Sequence, residues 1–385
     1  MSDFIPYGKQ WIDEDDKKAL AGVIGDDFIT QGYRVEEFEE AICSYTGARY
    51  CVAVSSGTAA LHIAVAALEI KKGSEGITSP NTFLASANCL VYNDLKPIFA
   101  DINPSTYCID PNQIEKKITS NTKVLIPVHF AGQPADMLAI SKLAKVHRLF
   151  VIEDAAHAIG TKYDNGDKVG SCKHSDMTVF SFHPVKTITT GEGGAITTNS
   201  PKHYKRLLML RSHGITKDPS LLSQKNGPWY YEMQVLGFNY RITDIQAALG
   251  VSQLKKIEKF IIRRREIVDS YNEAFKNCKF VKIPAQAEGV RSAFHLYVLQ
   301  IDFHEINKSR TDIMSALKEK NIGSQVHYIP VHLQPYYIKN FGYKENDYTI
   351  AENYYSQCLS LPLYPKMTSR EVDYVIKELK NVIGE

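Results

Sequence analysis

Short apolar runs alternate with segments of helical spacing over the first two-thirds of the chain. The apolar runs, each of strand length, lie at residues 50–54, 97–101, 123–128, 149–152, 177–182 and 195–198. Helical patterns separate them, among them residues 34–47, which end at a glycine, the alanine-rich residues 59–68, and residues 136–147. Because a helix commonly joins neighbouring parallel strands, this alternation predicts an α/β fold with a mostly parallel sheet covered by helices. In such sheets ligands bind outside the carboxyl ends of the strands.

The pattern changes near residue 243. Apolar residues at helical spacing predict one long amphipathic helix over residues 243–275. Shorter elements follow, with strands near residues 294–301 and 323–328 and helices near residues 311–320 and 350–359. The last helix opens with a capping box formed by Thr368 and Glu371. We therefore predict a large domain at residues 1–250, which includes an N-terminal arm, and a smaller C-terminal α+β domain at residues 251–385.

The charge balance excludes two classes of partner. The 385 residues include 45 Lys and Arg against 43 Asp and Glu, a formal charge of +2. Nucleic acids and anionic membranes both select a basic surface excess, so we expect neither as a partner. Hydrophobic residues at 44% and charged residues at 23% are ordinary for a soluble globular protein.

Cysteine usage and the uncharged segments predict a cytoplasmic protein. The seven cysteines are scattered and never spaced CxxC, which predicts reduced thiols and no metal site. Two uncharged runs, residues 51–68 and 76–93, are interrupted by Ser and Gly or by Pro and Asn, so neither is typical of a membrane span. The N-terminus lacks a basic segment followed by an apolar stretch, so we expect no signal peptide.

The turn Ser55-Ser56-Gly57-Thr58 lies between a predicted strand and a predicted helix. A helix N-terminus with an adjacent glycine presents free backbone N–H groups, which suit a phosphate. An ordinary helix-capping turn is the alternative reading. The sequence contains no GxxxxGK[ST] loop, no GxSxG turn and no HExxH motif, which argues against the enzyme classes that depend on them.

Asp154 ends an apolar strand, and His157 follows three residues later. A carboxylate at a dry strand end can pair with the protonated ring nitrogen of a cofactor. The alternative is a helix-capping aspartate beside a hydrogen-bonded histidine.

Lys186 directly follows another predicted strand, inside a loop rich in threonine and glycine at residues 181–194. A charged ammonium group would be poorly solvated in such a loop. Desolvation lowers the pKa of a lysine and makes it a candidate for a Schiff base. The alternative is a lysine that pairs with a carboxylate or reaches solvent.

Taken in order, these features resemble the fold type I PLP-dependent sugar aminotransferases, the DegT family. The resemblance covers nearly the whole chain. It runs through IPYGKQ (5–10), SSGTAALH (55–62), SPNTFLASAN (79–88), EDAAHAIG (153–160), SFHPVKTITTGEGGA (181–195), RSHGI (211–215), GFNYRITDIQAALG (237–250) and VHYIPVH (326–332).

The resemblance implies catalytic and ring-binding roles for four residues. Lys186 would hold pyridoxal 5'-phosphate (PLP) as a Schiff base and then serve as the acid and base of transamination. Asp154 would pair with the pyridinium nitrogen, and His157 would lie near the phenolic oxygen. Phe83 would stack on the ring, although the sequence alone favours a core role for it.

The resemblance also implies a phosphate site that two subunits share. Gly57, Thr58 and Ser181 would bind the phosphate through N–H and hydroxyl groups. Asn239 would reach the same phosphate from a neighbouring subunit, which implies a homodimer with shared active sites.

The segment HPVKTITT at residues 183–190 is most similar to the aminotransferases of pseudaminic acid biosynthesis. That similarity implies transfer of an amino group from L-glutamate to C4 of UDP-2-acetamido-2,6-dideoxy-β-L-arabino-hex-4-ulose. The residues implied to face this nucleotide sugar are Tyr7, Phe28, Ile29, Thr30, Gln31, Asn88, His327, Tyr328 and His332. For the histidine and tyrosine residues, a tyrosine-rich core is the alternative.

Other functions remain open at this point. Transaminases of perosamine or bacillosamine type tend to carry Gly-Asn before the lysine, which this chain lacks. A PLP-dependent sugar dehydratase would replace the lysine with histidine. A non-catalytic binding protein of the same fold would be expected to lose Lys186 or Asp154.

Overall fold

The computed structural model describes residues 4–224 and 226–385. Within them the α-helices are α1 Glu14–Ile24, α2 Tyr33–Thr46, α3 Gly57–Ala67, α4 Ala85–Tyr92, α5 Pro111–Lys117, α6 Met137–His147, α7 Pro201–Arg211, α8 Asp244–Leu254, α9 Ile257–Phe275, α10 Arg310–Glu319, α11 Pro335–Phe341, α12 Thr349–Gln357 and α13 Ser369–Ile383. The strands are β1 Tyr50–Val54, β2 Glu75–Thr78, β3 Lys96–Phe99, β4 Thr122–Ile126, β5 Phe150–Asp154, β6 Met177–Ser181, β7 Gly194–Thr198, β8 Ile215–Thr216, β9 Glu232–Met233, β10 Val281–Lys282, β11 Tyr297–Ile301 and β12 Cys358–Leu361.

A seven-stranded sheet in the order β1-β7-β6-β5-β4-β2-β3 forms the centre of the larger part of the chain. Strand β7 is antiparallel to both of its neighbours, and the other strands run parallel to one another. The chain reverses between β6 and β7 through a loop without a crossover helix, which is why β7 alone runs the other way. The predicted mostly parallel α/β sheet is confirmed.

Helix α3 packs on this sheet through small side chains. Seven of its residues are buried, four of them alanines. Because alanine adds little bulk, the helix axis approaches strands β6 and β7 closely. Its N-terminus is thereby fixed at the carboxyl end of β1, next to the end of β6.

The C-terminal part has its own three-stranded antiparallel sheet, β10-β11-β12. A second apolar core lies between this sheet and helices α9, α10 and α13. Ile5 of the N-terminal arm is 2% exposed, belongs to this core, and pairs with Ile322. The division of the chain at residue 250 stays a prediction.

Two sequence predictions in the C-terminal part were wrong. The long helix predicted over residues 243–275 is broken between α8 and α9 at Lys255 and Lys256. The ammonium group of Lys256 lies 2.6 Å from Asp13 and 2.7 Å from the buried carboxylate of Asp16, so contacts to α1 fix the chain there. Residues 323–328 form only an isolated bridge, Gln325 to Ser360, because the following side chains turn into a cavity instead of alternating across a sheet.

In the part of the chain that the structure describes, no helix has the length and apolarity needed to cross a membrane. All seven cysteines are free thiols. Among the same residues, no group of three or more His, Cys, Asp or Glu side chains is placed to hold a metal ion.

Candidate active site

A cavity of about 610 Å³ opens at the carboxyl ends of β1, β5 and β6. Segments from the C-terminal part, residues 295 and 325–328, close one side of it. The predicted site residues that line it are Tyr7, Gly57, Thr58, Phe83, Asp154, His157, Ser181, Lys186, His327 and Tyr328. Residues separated by up to 321 positions in the sequence therefore meet at the sheet edge where the strand pattern placed the site.

The N-terminus of α3 forms one end of the cavity. Ser56 caps the helix, and its hydroxyl accepts the N–H of Ala59 at 3.1 Å. The N–H groups of Gly57 and Thr58 belong to the first turn and have no acceptor within the helix. A Cβ atom placed on Gly57 would lie 2.8 Å from the Cβ of Ser181, so only glycine lets β6 come this close. Two amides at a positive helix end and an adjacent hydroxyl form a cradle for a phosphate group.

Asp154 lies at the end of β5 and is 4% exposed. Its Oδ1 accepts the backbone N–H of Ala156 at 3.1 Å. Its Oδ2 accepts the hydroxyl of Ser86 at 2.6 Å. Two donors on opposite oxygens fix the plane of the carboxylate, which faces the cavity.

Lys186 lies in the loop between β6 and β7. Hydrogen bonds at the base of the loop hold its shape, from Phe182 N–H to the Gly193 carbonyl at 2.9 Å and from Thr190 N–H to the Phe182 carbonyl at 3.0 Å. Among the described residues, none forms an ion pair or a side-chain hydrogen bond with the lysine ammonium, so the alternative of a carboxylate-paired lysine is not what the structure shows. Burial lowers the pKa of Lys186 to about 8, although the negative charge of Asp154 opposes this shift.

His157 joins the large sheet to the C-terminal wall of the cavity. Its Nδ1 accepts the backbone N–H of Ala131 at 3.3 Å, and its Nε2 lies 3.1 Å from the hydroxyl oxygen of Tyr328. Burial lowers its pKa well below the ordinary value, and the neighbouring Lys186 and His327 add to that effect. The ring is therefore neutral and carries its proton on Nε2.

His327 and Tyr7 complete this wall. Their ring centroids are 5.5 Å apart, and His327 Nδ1 lies 2.7 Å from the buried hydroxyl of Ser360. Burial lowers the pKa of His327 to about 3, so this ring is neutral as well. Opposite, Phe83 is 56% exposed, and its ring faces the cavity rather than the core that the sequence alone favoured.

Sequence reasoning missed several residues that line the cavity. Thr82 and Ser86 flank Phe83 within the motif at residues 79–88, so their proximity in sequence was the available signal. His295 lies with its ring centroid 4.4 Å from that of His157 and is 3% exposed. No local pattern marks His295, because it reaches the site only through the packing of the C-terminal part.

Asn88 and His332 are two of the six predicted substrate contacts that do not line the cavity. Asn88 lies within α4, and its side-chain oxygen accepts the hydroxyl of Tyr337 at 2.7 Å. His332 is fully buried, and its Nε2 lies 3.1 Å from a carboxylate oxygen of Glu352. The ring centroid of His332 also lies 4.7 Å from that of Tyr348, which corresponds to the tyrosine-rich core given as the alternative for the histidine and tyrosine residues.

Residues 28–31 and Asn239 lie together outside the cavity. Phe28 and Ile29 are 65% and 52% exposed, and the Ile29 carbonyl accepts the N–H of Asp244 at 3.0 Å. Thr30 pairs with Thr243, and Asn239 is an exposed residue that pairs through its backbone with Ser212. Within one chain, none of these residues reaches the cavity that the other predicted residues share.

Comparisons with known proteins extend over the whole chain. The model of the DegT/DnrJ/EryC1/StrS aminotransferase family matches residues 10–380. The spore coat polysaccharide biosynthesis protein SpsC of Bacillus subtilis is 42% identical over 381 residues, 99% of this chain and 97% of that protein.

Two solved structures are similar over their full lengths. The Helicobacter pylori aminotransferase PseC, involved in the biosynthesis of pseudoaminic acid, is 31% identical, with a TM-score of 0.92 and complete coverage of both chains. The PLP form of Spr1654 from Streptococcus pneumoniae, described as a sugar aminotransferase, is also 31% identical, with a TM-score of 0.90 and 99% coverage of each chain.

Proposed function

Because the chain belongs to the DegT/DnrJ/EryC1/StrS aminotransferase family and is a PLP-dependent sugar aminotransferase, we propose that it aminates C4 of a UDP-linked 4-keto-6-deoxy-N-acetylhexosamine with glutamate as donor. One observation carries the chemistry. An unpaired lysine with a lowered pKa, a fixed carboxylate and a helix-end anion cradle line the same cavity.

The residues present fit PLP. The cradle at Gly57, Thr58 and Ser181, which a Cβ on Gly57 would fill, would hold the phosphate. Asp154 would accept a hydrogen bond from the protonated ring nitrogen, and Phe83 offers a flat exposed face to the ring. When bound, PLP supplies an electron sink for the electron pair left when a C–H proton is removed.

Lys186 moves the protons in the proposed reaction. Its amine is buried and has a pKa of about 8, so a useful fraction is neutral near physiological pH and can form the covalent link to the cofactor. With glutamate as donor, the same amine would take a proton from the donor Cα and return one to a neighbouring carbon. A pKa near the working pH favours both the uptake and the release of a proton by the Lys186 amine.

Two observations support the pseudaminic acid type of substrate. The segment at residues 183–190 has the pattern of that subfamily, and the overall structure is similar to PseC. The wall formed by Tyr7, His327 and Tyr328 offers rings and uncharged polar groups that suit a sugar.

We further propose that the enzyme is a homodimer whose sites are shared. Lys186 is the single Lys or Arg among the described residues that line the cavity, yet both ligands carry phosphate groups. Large apolar side chains are exposed in the segments that contain residues 28–31 and Asn239, with Phe28 at 65%, Ile29 at 52%, and Leu236, three residues before Asn239, at 78%. A second copy that covered these segments would bring polar groups to a neighbouring cavity and bury the apolar side chains.

The similarity to SpsC favours a second candidate for the substrate. That protein is described by its part in spore coat polysaccharide biosynthesis and is more similar in sequence than PseC. The second candidate is the alternative left open by the sequence, amination of another nucleotide-linked 4-keto sugar, of perosamine or bacillosamine type, at the same cavity.

The test supplies the purified enzyme with glutamate and each UDP-4-keto sugar epimer and identifies products by NMR. We expect 2-oxoglutarate and UDP-4-amino-4,6-dideoxy-N-acetyl-β-L-altrosamine. Amination of only a differently configured or differently activated sugar would support the second candidate instead. Release of ammonia without an aminated sugar would contradict both and indicate a dehydratase.

A further inference from the structure

Ser86 makes the shortest contact to the carboxylate of Asp154. Its hydroxyl oxygen lies 2.6 Å from Oδ2 of Asp154 and 3.3 Å from the carbonyl oxygen of Phe83, and the residue is 1% exposed. A hydroxyl has one proton to donate. The carboxylate takes it, because 2.6 Å lies in the range of charge-assisted O–H···O⁻ bonds whereas 3.3 Å is long for a hydroxyl donor.

The hydroxyl of Thr82 forms a hydrogen bond with that of Ser86. The two oxygens are 2.7 Å apart, and Thr82 is 3% exposed. Since the proton of Ser86 is committed to Asp154, the proton between the two hydroxyls comes from Thr82. The direction of donation is thus fixed, from Thr82 to Ser86 and from Ser86 to Asp154.

These hydrogen bonds act on the charge of Asp154. Donors directed at a carboxylate stabilise its charged form. The Ala156 N–H donates to Oδ1 of Asp154 and the Ser86 hydroxyl donates to Oδ2, so both carboxylate oxygens are stabilised. Donation from Thr82 polarises Ser86 and strengthens its donation to Asp154.

We propose that Ser86, supported by Thr82, is a positioning residue that stabilises the charged carboxylate of Asp154 and thereby keeps the shared proton on the ring nitrogen of PLP. The inference rests on the proposed function, since it requires PLP with its nitrogen at Asp154. No bond other than the one to this proton changes: without the Ser86 donor, the proton shifts from the nitrogen toward the carboxylate.

The experiment measures whether the ring nitrogen of PLP carries the proton. Enzyme loaded with PLP that carries ¹⁵N in its ring is compared with Ser86→Ala by ¹⁵N NMR. Loss of one charge-assisted donor changes the partition of the proton by about 10- to 100-fold. We therefore expect the Ser86→Ala signal to move toward that of unprotonated pyridine, and Thr82→Val to move it less in the same direction.

Two further variants serve as controls. Thr82→Ser keeps the hydroxyl and should keep the wild-type signal. Ser141→Ala removes a hydroxyl that donates to the Leu138 carbonyl on α6, outside the cavity, and should leave the signal unchanged.

The outcomes separate this inference from the function on which it rests. A wild-type ring nitrogen that is protonated, with no movement in Ser86→Ala, would overturn the inference and leave the function intact. If Ser86→Ala does not fold, an unchanged signal in Thr82→Val overturns the support assigned to Thr82, and a shifted one supports the relay. A wild-type enzyme that fails to bind PLP would overturn both claims.

Discussion

The hydroxyl oxygen of Tyr328 lies 3.1 Å from Nε2 of His157, while Nδ1 of His157 accepts the backbone N–H of Ala131. A backbone N–H can only donate, so Nδ1 has no proton and Nε2 carries the one proton of the neutral ring. His157 therefore donates to Tyr328, and the Tyr328 proton is left to point into the cavity. His157 orients Tyr328 as a hydrogen-bond donor toward whatever the cavity binds.

A glutamine at position 157 should preserve this arrangement. Its amide oxygen can accept from Ala131 and its NH₂ group can donate to Tyr328, whereas leucine can do neither. We expect His157→Gln to keep kcat within a few-fold of wild type and His157→Leu to lower it about 10- to 100-fold. Steady-state kinetics with glutamate and the keto sugar measure both. If His157 acts through Tyr328, His157→Leu and Tyr328→Phe will not be additive, and additive losses would contradict the coupling.

The lowered pKa of Lys186 should be visible in the apoprotein. A lysine reacts with an acylating reagent only as the neutral amine, so the rate at Lys186 should rise with pH and reach its midpoint at about 8. Peptide mass spectrometry after brief acetylation measures it. Asp154 raises the pKa of Lys186, so Asp154→Asn should move the midpoint lower. A midpoint in the ordinary range of lysine, near 10.4, would contradict burial of the amine.

Replacing Gly57 with alanine should loosen the phosphate cradle. The added Cβ would lie 2.8 Å from the Cβ of Ser181, so the helix end or β6 must shift. We expect the Kd for PLP to rise at least about tenfold, which corresponds to about 1.4 kcal/mol. Gly22→Ala in α1 is the control, because nothing lies within 4 Å of its added Cβ. Equal affinities of the two variants would show that the cradle does not hold the phosphate.

A buried hydrogen-bonded pair behind the site should contribute to stability. Glu153 and His129 are 1% and 0% exposed, with 2.7 Å between a carboxylate oxygen and Nε2. Burial alone would raise the pKa of Glu153, but hydrogen bonds from His129, Ser175 and Tyr163 bring it below the ordinary value. Glu153→Gln places an NH₂ group among these donors and should therefore lower the free energy of unfolding by about 1 to 3 kcal/mol in urea titrations.

An exposed pair provides the comparison for that change. Glu273 contacts Lys276 at 2.8 Å on the surface of α9, with side chains 74% and 48% exposed. Glu273→Gln should change the free energy of unfolding by less than about 0.5 kcal/mol. Similar losses in Glu153→Gln and Glu273→Gln would mean that the buried pair is not a stabilising contact.

The sequence was sufficient where structure is set by neighbouring residues. The capping box of Thr368 and Glu371 forms as predicted, and α2 ends at Gly47, whose positive φ of 85° suits glycine. The mostly parallel character of the sheet followed from the alternation of elements, but the order of its strands and the antiparallel direction of β7 did not. Asp154 was found because it ends a buried strand, and Lys186 because it lies in the loop that follows another.

The sequence was insufficient where distant segments meet. The break between α8 and α9 depends on Lys256 contacting Asp13 and Asp16, about 240 residues away. His295 enters the cavity, and His332 is buried, because of how the C-terminal part packs on the large sheet. Local patterns carry no information on such packing. The resemblance therefore predicted His332 as a substrate contact, although it does not line the cavity.

Reduction of the PLP-loaded enzyme with borohydride, followed by peptide mass spectrometry, tests whether Lys186 holds the cofactor. We expect one pyridoxyl group per chain, attached to Lys186, with loss of both the label and turnover in Lys186→Ala. A label on another lysine, or turnover that persists in Lys186→Ala, would contradict this role of Lys186.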